Sequence, residues 1–403
     1  MLFLLQVAVI LLVARGMRLL LRPLGQPTVV AEMLAGFLIG PSFAGWLVPR
    51  ATAALFAPSS LEPLNALSQI GLVVFMFVVG TRVRAHTVHT RRDAAVVTSA
   101  MSIAAPFVLG VLLSFYLRPR VAAGSATWPF AIFIGTAMSI TAFPVLARIL
   151  GERGLFDTSV GRLAVACAAF DDVAGWLLLT LALSLTHTPS GLTPVGRLAL
   201  LALYLAVMIG MVRPFLAWLA ARDRAPHALD AEIAAVLIVL LLSAAATDAI
   251  GIHALFGAFL SGVVMPKHTA VDHAVGALEP MTMTFLLPLF FAFTGLRTDA
   301  RLIDSAALIG MTTLIVAVAV AGKFGAAAVT SHAMGLGWRD AGALGALVNT
   351  RGLVELVILN IGLDAHILSP LAFSMLVAMA LITTLMTSPL LSVLLPKPEE
   401  MRV

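Results

Sequence analysis

Charge is what this sequence has least of. Of 403 residues, 11% are Asp, Glu, Lys or Arg, against about a quarter in a typical soluble domain. A chain so poor in charge cannot cover a water-facing surface, which excludes an ordinary soluble globular protein. It has one cysteine, Cys167, so a disulfide framework and a cysteine metal site are excluded, and the residue reads as a small buried side chain. No basic head or cleavage site accompanies the first apolar run, and its charges follow the run instead. That pattern describes a membrane helix rather than a signal peptide. The net charge of +5 does not point to nucleic acid, because the Lys and Arg residues sit mostly in short loops between apolar stretches.

Apolar length is what the sequence has in plenty. Apolar residues make up 61%, the mean hydropathy is +1.05, and stretches of about 20 residues, enough to cross the hydrocarbon core as a helix, recur from end to end. The fold class expected is an all-α polytopic membrane protein. Thirteen spans are predicted, at about 2–17, 28–48, 64–81, 94–117, 128–147, 163–186, 198–220, 232–248, 250–266, 281–296, 303–330, 341–363 and 367–395. The eighth and ninth run nearly together through Thr247-Asp248-Ala249.

The basic residues orient these spans. With the N-terminus outside, fifteen Lys and Arg fall in inner loops and the tail: Arg18, Arg22, Arg82, Arg84, Arg91, Arg92, Arg148, Arg153, Arg162, Arg222, Arg224, Lys267, Arg339, Lys397 and Arg402. Six fall in outer loops: Arg50, Arg118, Arg120, Arg197, Arg297 and Arg301. The remaining four of the 25 lie within spans. The bias favours a cytoplasmic C-terminus and an outer N-terminus.

Two spans are interrupted. The fifth carries Met138-Ser139-Ile140-Thr141-Ala142-Phe143-Pro144 and the twelfth carries Asn349-Thr350-Arg351-Gly352. Proline and glycine weaken the helical ladder, and freed backbone groups are tolerated at membrane depth only where they line a cavity or bind something. Either break alone is also what a harmless kink looks like. Their separation by an odd number of spans brings them in from opposite sides, the pattern of an inverted repeat. The first half is then about 1–186, the second about 232–396, and 198–220 connects them. Paired broken helices at matching positions are the best sequence pointer to a transporter's substrate site.

Charges inside the hydrocarbon cost roughly 2.5–3.5 kcal/mol each even on lenient scales, so those present call for a function. The central ones are Asp171 and Asp172 in the sixth span, Lys323 in the eleventh, and Arg351 with Glu355 in the twelfth. Glu32 reads as interfacial and His253 as a packed or interfacial histidine. A helix turns about 100° per residue, so adjacent aspartates face different ways. One can face a water-filled cavity while the other faces a partner, for which Lys323 is the natural choice. A buried cation favours the charged form of a neighbouring carboxylate, whereas desolvation and a like charge disfavour it. A carboxylate balanced between these effects can trade a proton for a cation, which is the minimal chemistry of an antiporter. The structural alternative is a neutralised Asp–Lys pair that only holds helices together. Thr141 and Ser139, with carbonyls freed by the break, are available to complete an oxygen shell for Na⁺ or K⁺. Hydroxyls in membrane helices also bond back to their own backbone. Arg351 and Glu355 read mainly as structural charges.

The segments QPTVVAEMLAGFLIGPS (26–42), SITAFPVLARIL (139–150), AFDDVAGW (169–176), GIHALFGAFLSGVVMP (251–266) and NTRGLVELVILNIG (349–362) resemble the monovalent cation:proton antiporter-2 family. That family includes Kef-type exchangers, bacterial sodium/proton antiporters and plant CHX exchangers, and the wording is closest to the CHX-like branch. The resemblance implies a sodium/proton antiporter fold with two crossed broken helices, a dimer-forming panel and a core that moves in an elevator-like way. It implies Asp172 as the principal carboxylate for the transient Na⁺ or K⁺ and for the proton. Asp171 would be the neighbour paired with Lys323, and Thr141 would lie at the crossing. Two adjacent acids resemble the electrogenic members. No cofactor, nucleic-acid partner or cytosolic regulatory domain is expected; membrane lipid, a second copy of the chain, cations and protons are. A bacterial inner membrane is the expected location. An intramembrane aspartyl protease is the enzyme alternative, but it needs its aspartates on different helices. A cation channel or sodium-coupled symporter remains as the transport alternative.

Overall fold

The structure, a computed structural model, describes residues 2–57, 60–85, 92–156, 158–184, 194–222 and 229–395. Every regular element among them is helical. In chain order the first half contains α1 (Leu2–Leu21), α2 (Thr28–Ile39), α3 (Ala44–Leu47), α4 (Pro49–Leu55), α5 (Leu61–Ala85), α6 (Arg92–Val121), α7 (Thr127–Ser139), α8 (Phe143–Glu152) and α9 (Ser159–Ser184). Then come α10 (Pro194–Val207), α11 (Arg213–Arg222), α12 (Leu229–Ile250), α13 (Ala254–Val264), α14 (Thr269–Met281) and α15 (Leu287–Arg297). The last group is α16 (Ala306–Val320), α17 (Ala326–Ala333), α18 (Trp338–Val348), α19 (Leu353–Asp364) and α20 (Pro370–Leu394). Three pairs are joined without a break by π-helical turns: Met208–Val212, Thr282–Leu286 and Ala321–Gly325.

Ten helices among the described residues are long and apolar enough to cross a membrane, or eleven if the bent pair α18–α19 counts as one. The expected count of thirteen is left unconfirmed, because two predicted spans are not single helices of crossing length. The predicted fifth is divided into α7, with 13 residues, and α8, with 10. At 1.5 Å per residue neither half crosses about 30 Å of hydrocarbon. The predicted ninth is α13, only 11 residues. It is set off from α12 by Gly251, whose φ of +84° is the left-handed region that glycine enters without steric cost. The chain reverses there, and α13 lies back along α12, with the Ser243 hydroxyl donating to the Gly257 carbonyl at 2.7 Å.

The chain forms two compact units interleaved in sequence. One comprises Met1–Val7, Pro58–Thr87 and His187–Phe293; the other comprises Ala8–Ala57, Val88–Thr186 and Thr294–Val403. The first is held by a close crossing of α5 and α13, where Gly80 lies against the backbone of the partner helix. A Cβ on Gly80 would stand 2.1 Å from the Phe259 carbonyl oxygen. Gly80→Ala is therefore expected to destabilise the protein by about 1–3 kcal/mol, as overpacking does, and thermal unfolding in detergent checks it. The second unit contains both interrupted helices and all the central intramembrane charges. Of the basic residues used for orientation, Arg91, Arg224, Lys397 and Arg402 lie outside the described residues. Glu32 is buried on α2, while His253 is half-buried at the start of α13, where its Nδ1 accepts from the Leu255 amide at 3.4 Å.

Candidate ion-binding site

The site is assembled where the two interruptions meet. Helix α7 ends at Ser139 and the backbone turns extended at Ile140 (φ −79°, ψ 139°). Helix α8 then starts with Pro144 in its first turn, where the missing N–H removes nothing from the ladder. Opposite, α18 ends at Val348 and α19 restarts at Leu353. The freed backbone groups satisfy one another across the gap, with the Ala142 amide donating to the Thr350 carbonyl at 3.0 Å. Thr384 of α20 secures the second break, its hydroxyl donating to the Arg351 carbonyl at 2.6 Å and lying 3.1 Å from the Arg351 amide.

The C-terminal end of α7 exposes carbonyls and the negative end of a helix dipole, and two buried cations cover it. Arg351 donates through Nη1 to the Ala137 carbonyl at 2.5 Å and through Nη2 to the Met138 carbonyl at 2.6 Å. The same Nη1 lies 3.0 Å from Glu355 Oε1 in a fully buried ion pair. Lys323 donates to the next carbonyl, that of Ser139. It projects from the π-helical turn Ala321–Gly325, a local widening that often marks functional positions.

Asp171 and Asp172 stand side by side on α9, where the run AVACAAFDDVAGW has no proline to interrupt a helix. Their surroundings differ sharply. Asp171 is saturated: Lys323 Nζ lies 2.6 Å from its Oδ2, the Thr141 hydroxyl 2.5 Å from the same oxygen, and the Ser99 hydroxyl of α6 3.1 Å from its Oδ1. Asp172 is fully buried, and neither of its oxygens has a hydrogen-bond partner among the described residues. An ionised carboxylate in that position carries a desolvation cost of several kcal/mol. It is stable only with a proton on it or a cation beside it.

Thr141 joins the two breaks to the acids. Its hydroxyl lies within reach of both Asp171 Oδ2 and, at 2.8 Å, the Val348 carbonyl. A hydroxyl has one proton to give, so which acceptor it serves depends on whether Asp171 itself carries a proton. The structure thus brings together Asp171, Asp172, Thr141, Ser139 and Lys323, but Ser139 takes part through its backbone. Its hydroxyl is directed to the carbonyls of Gly135 at 2.7 Å and Ile103 at 3.1 Å.

Two polar residues were not singled out by sequence reasoning. Ser99 was legible as one of a group of hydroxyls, Thr98, Ser99 and Ser102, on an otherwise apolar span. Asn349 stands out in the sequence only as part of the break. It is buried, and both polar atoms of its amide lack a partner among the described residues. Cys167, one turn before Asp171, is buried and free, as a small packed residue.

Residues 8–396 match the sodium/hydrogen exchanger transmembrane family. The chain is 40% identical over 402 residues to the Na⁺/H⁺ antiporter NhaS4 of Synechocystis, covering 98% of each chain. It is 38% identical to cation/H⁺ antiporter 18 of Arabidopsis thaliana over 96% of its own length. It is 32% identical to K⁺/H⁺ antiporter 1 of Saccharomyces cerevisiae over 98% of its own length. The chain spans about half the length of those two relatives, 48% and 46% respectively. Among solved structures, the sodium proton antiporter MjNhaP1 from Methanocaldococcus jannaschii superposes with a TM-score of 0.69 at 13% identity, covering 97% of this chain and 96% of that one. That likeness concerns the fold. The matched length and the identity to a relative covered over 98% of its length place this chain in the sodium/hydrogen exchanger family.

Proposed function

We infer that this multi-pass membrane protein is a secondary transporter that exchanges a monovalent cation, Na⁺ or K⁺, for protons across the membrane. The observation that carries the assignment of roles is the asymmetry of the acid pair: three donors on Asp171, none on Asp172. Asp172 is the exchange site, where a proton and a cation compete, so one is carried at a time. Asp171, held by Lys323, Thr141 and Ser99, is the tuner. Thr141 and the Ser139 segment lie at the crossing and supply oxygens to a transient cation, while Arg351 and Glu355 hold the breaks together. No resident cofactor is needed for this chemistry.

The same reading includes alternating access by movement of the unit that carries the site, and assembly of two copies. It also includes a bacterial inner-membrane location with the N-terminus outside and the C-terminus cytoplasmic. Relatives named for Na⁺ and for K⁺ lend support to cation exchange and leave both ions for the assay to separate.

The test is an imposed pH gradient in everted vesicles containing the protein, followed on adding Na⁺, K⁺ or Li⁺. Cation-dependent dissipation is expected; a gradient unmoved by every cation across the pH range would overturn the reading. Lys323→Ala in the same assay should shift the pH profile of transport rather than abolish transport, because it removes the cation 2.6 Å from Asp171 while leaving Asp172 in place. An unshifted profile at a reduced rate would assign Lys323 a structural role alone.

A further inference from the structure

A cavity of about 350 Å³ opens where α1, α2, α8 and α20 approach one another, away from the acid pair. Arg18, Arg22, Arg153, Glu152, Gln26 and Thr28 line it. Its charge is one-sided. Glu152 is paired within its own helix to Arg148 at 3.1 Å, so its carboxylate is already neutralised. Glu32 lies one turn beyond Thr28 on α2 and is buried. Counting both acids, Arg18, Arg22, Arg148 and Arg153 leave an excess of two positive charges around the cavity. Among the described residues the side chains of Arg18 and Arg22 make no hydrogen bond or ion pair. Toward the described residues Arg153 uses only its Nη2, donating to the Ser388 carbonyl at 2.8 Å and to the Ser392 hydroxyl at 3.0 Å. Its Nε and Nη1 remain available.

Two independent features add donors on the same wall. Helix α2, with 12 residues, begins at the cavity after Pro27 and has no side-chain cap, so its first amides and the positive end of its dipole are open to an anion. Thr28, on the same wall, is more than nine-tenths buried at 8% exposure. The buried Gln26 Oε1 also lacks a partner, which places an unused acceptor beside the cations.

From this arrangement we propose that the cavity binds a phosphate group, held by Arg18, Arg22 and Arg153 and by the α2 N-terminus with Thr28. Guanidinium forks and open helix amides are the donors that match phosphate oxygens. Gln26 would accept from a hydroxyl carried next to that phosphate, as in a phosphoglycerol group. The phosphate comes either from a lipid headgroup or from a soluble ester. The site reaches the exchange centre through one short element: α8 ends at Glu152 on the cavity and begins beside the Thr141 break. Occupancy therefore restrains the far end of the helix that positions Thr141.

The test uses the full chain purified in neutral detergent. Binding of inorganic phosphate and of glycerol phosphate is measured by calorimetry. Retention of phosphatidylglycerol over phosphatidylcholine is measured by native mass spectrometry after reconstitution. Arg18→Gln with Arg22→Gln is compared with Arg50→Gln with Arg120→Gln, which removes two charges elsewhere. Affinity for at least one phosphate probe should fall by about tenfold or more in the first variant and stay unchanged in the second. Binding of the lipid alone identifies a headgroup, and binding of the soluble probes alone identifies a free ester. Equal losses in the two variants, or no phosphate binding by wild type, would overturn the proposal. Because cation exchange by wild type is scored separately, failure here leaves the transport reading standing.

Discussion

Asp172→Asn reduces cation-driven collapse of a pH gradient to the level of vesicles lacking the protein, with the protein still folded and in the membrane. Both carboxylate oxygens are buried and without a hydrogen-bond partner among the described residues, so the substitution removes no hydrogen bond seen there, and an amide of the same shape avoids the cost of a buried charge. Unfolding in detergent should therefore stay within about 1 kcal/mol of wild type. What is lost is the ability to take up and release a proton in competition with a cation. Asp171→Asn differs in kind. It weakens the contact with Lys323 and leaves the exchange carboxylate in place, so transport persists with an altered pH profile.

Arg351→Ala has the other large effect, and it falls on stability. One guanidinium serves the carbonyls of Ala137 and Met138 and the carboxylate of Glu355, all within the protein interior. Removing one partner of a buried ion pair costs about 3–5 kcal/mol, and each orphaned carbonyl adds about 1–3 kcal/mol. Against a typical total stability of about 5–15 kcal/mol, little folded protein is expected. Arg351→Lys keeps the charge but not the planar fork that reaches successive carbonyls, so its yield should be intermediate. Monodispersity and thermal unfolding of the solubilised variants check this. A wild-type unfolding curve for Arg351→Ala would mean that the end of α7 is secured by other groups.

The features most legible in the sequence were those that proline, glycine and charge write locally. Pro144 and Gly352 marked the two breaks, and the scarcity of intramembrane charge isolated Asp171, Asp172, Lys323, Arg351 and Glu355. Helical geometry alone separated the two aspartates, which have different surroundings in the structure. The span count was less legible because hydropathy does not see where a helix stops. The apolar run through residues 250–266 continues past a reversal at Gly251, and only 11 of its residues are helical in α13. The burial of Glu32 by tertiary packing of α2 had no local signal either. The role of Ser99 depended on packing of α6 against α9, a long-range contact that no local pattern encodes. The π-helical turn that carries Lys323 had no sequence signature at all.

The central claim is that a proton and a cation compete for Asp172. Proton release from the purified, detergent-solubilised protein on adding the transported cation, followed with a pH-sensitive dye, measures that competition without a membrane or a gradient. Wild type and Asp171→Asn should release protons on cation addition, and Asp172→Asn should release none. Release from Asp172→Asn equal to that of wild type would place the exchange on another group and contradict the account.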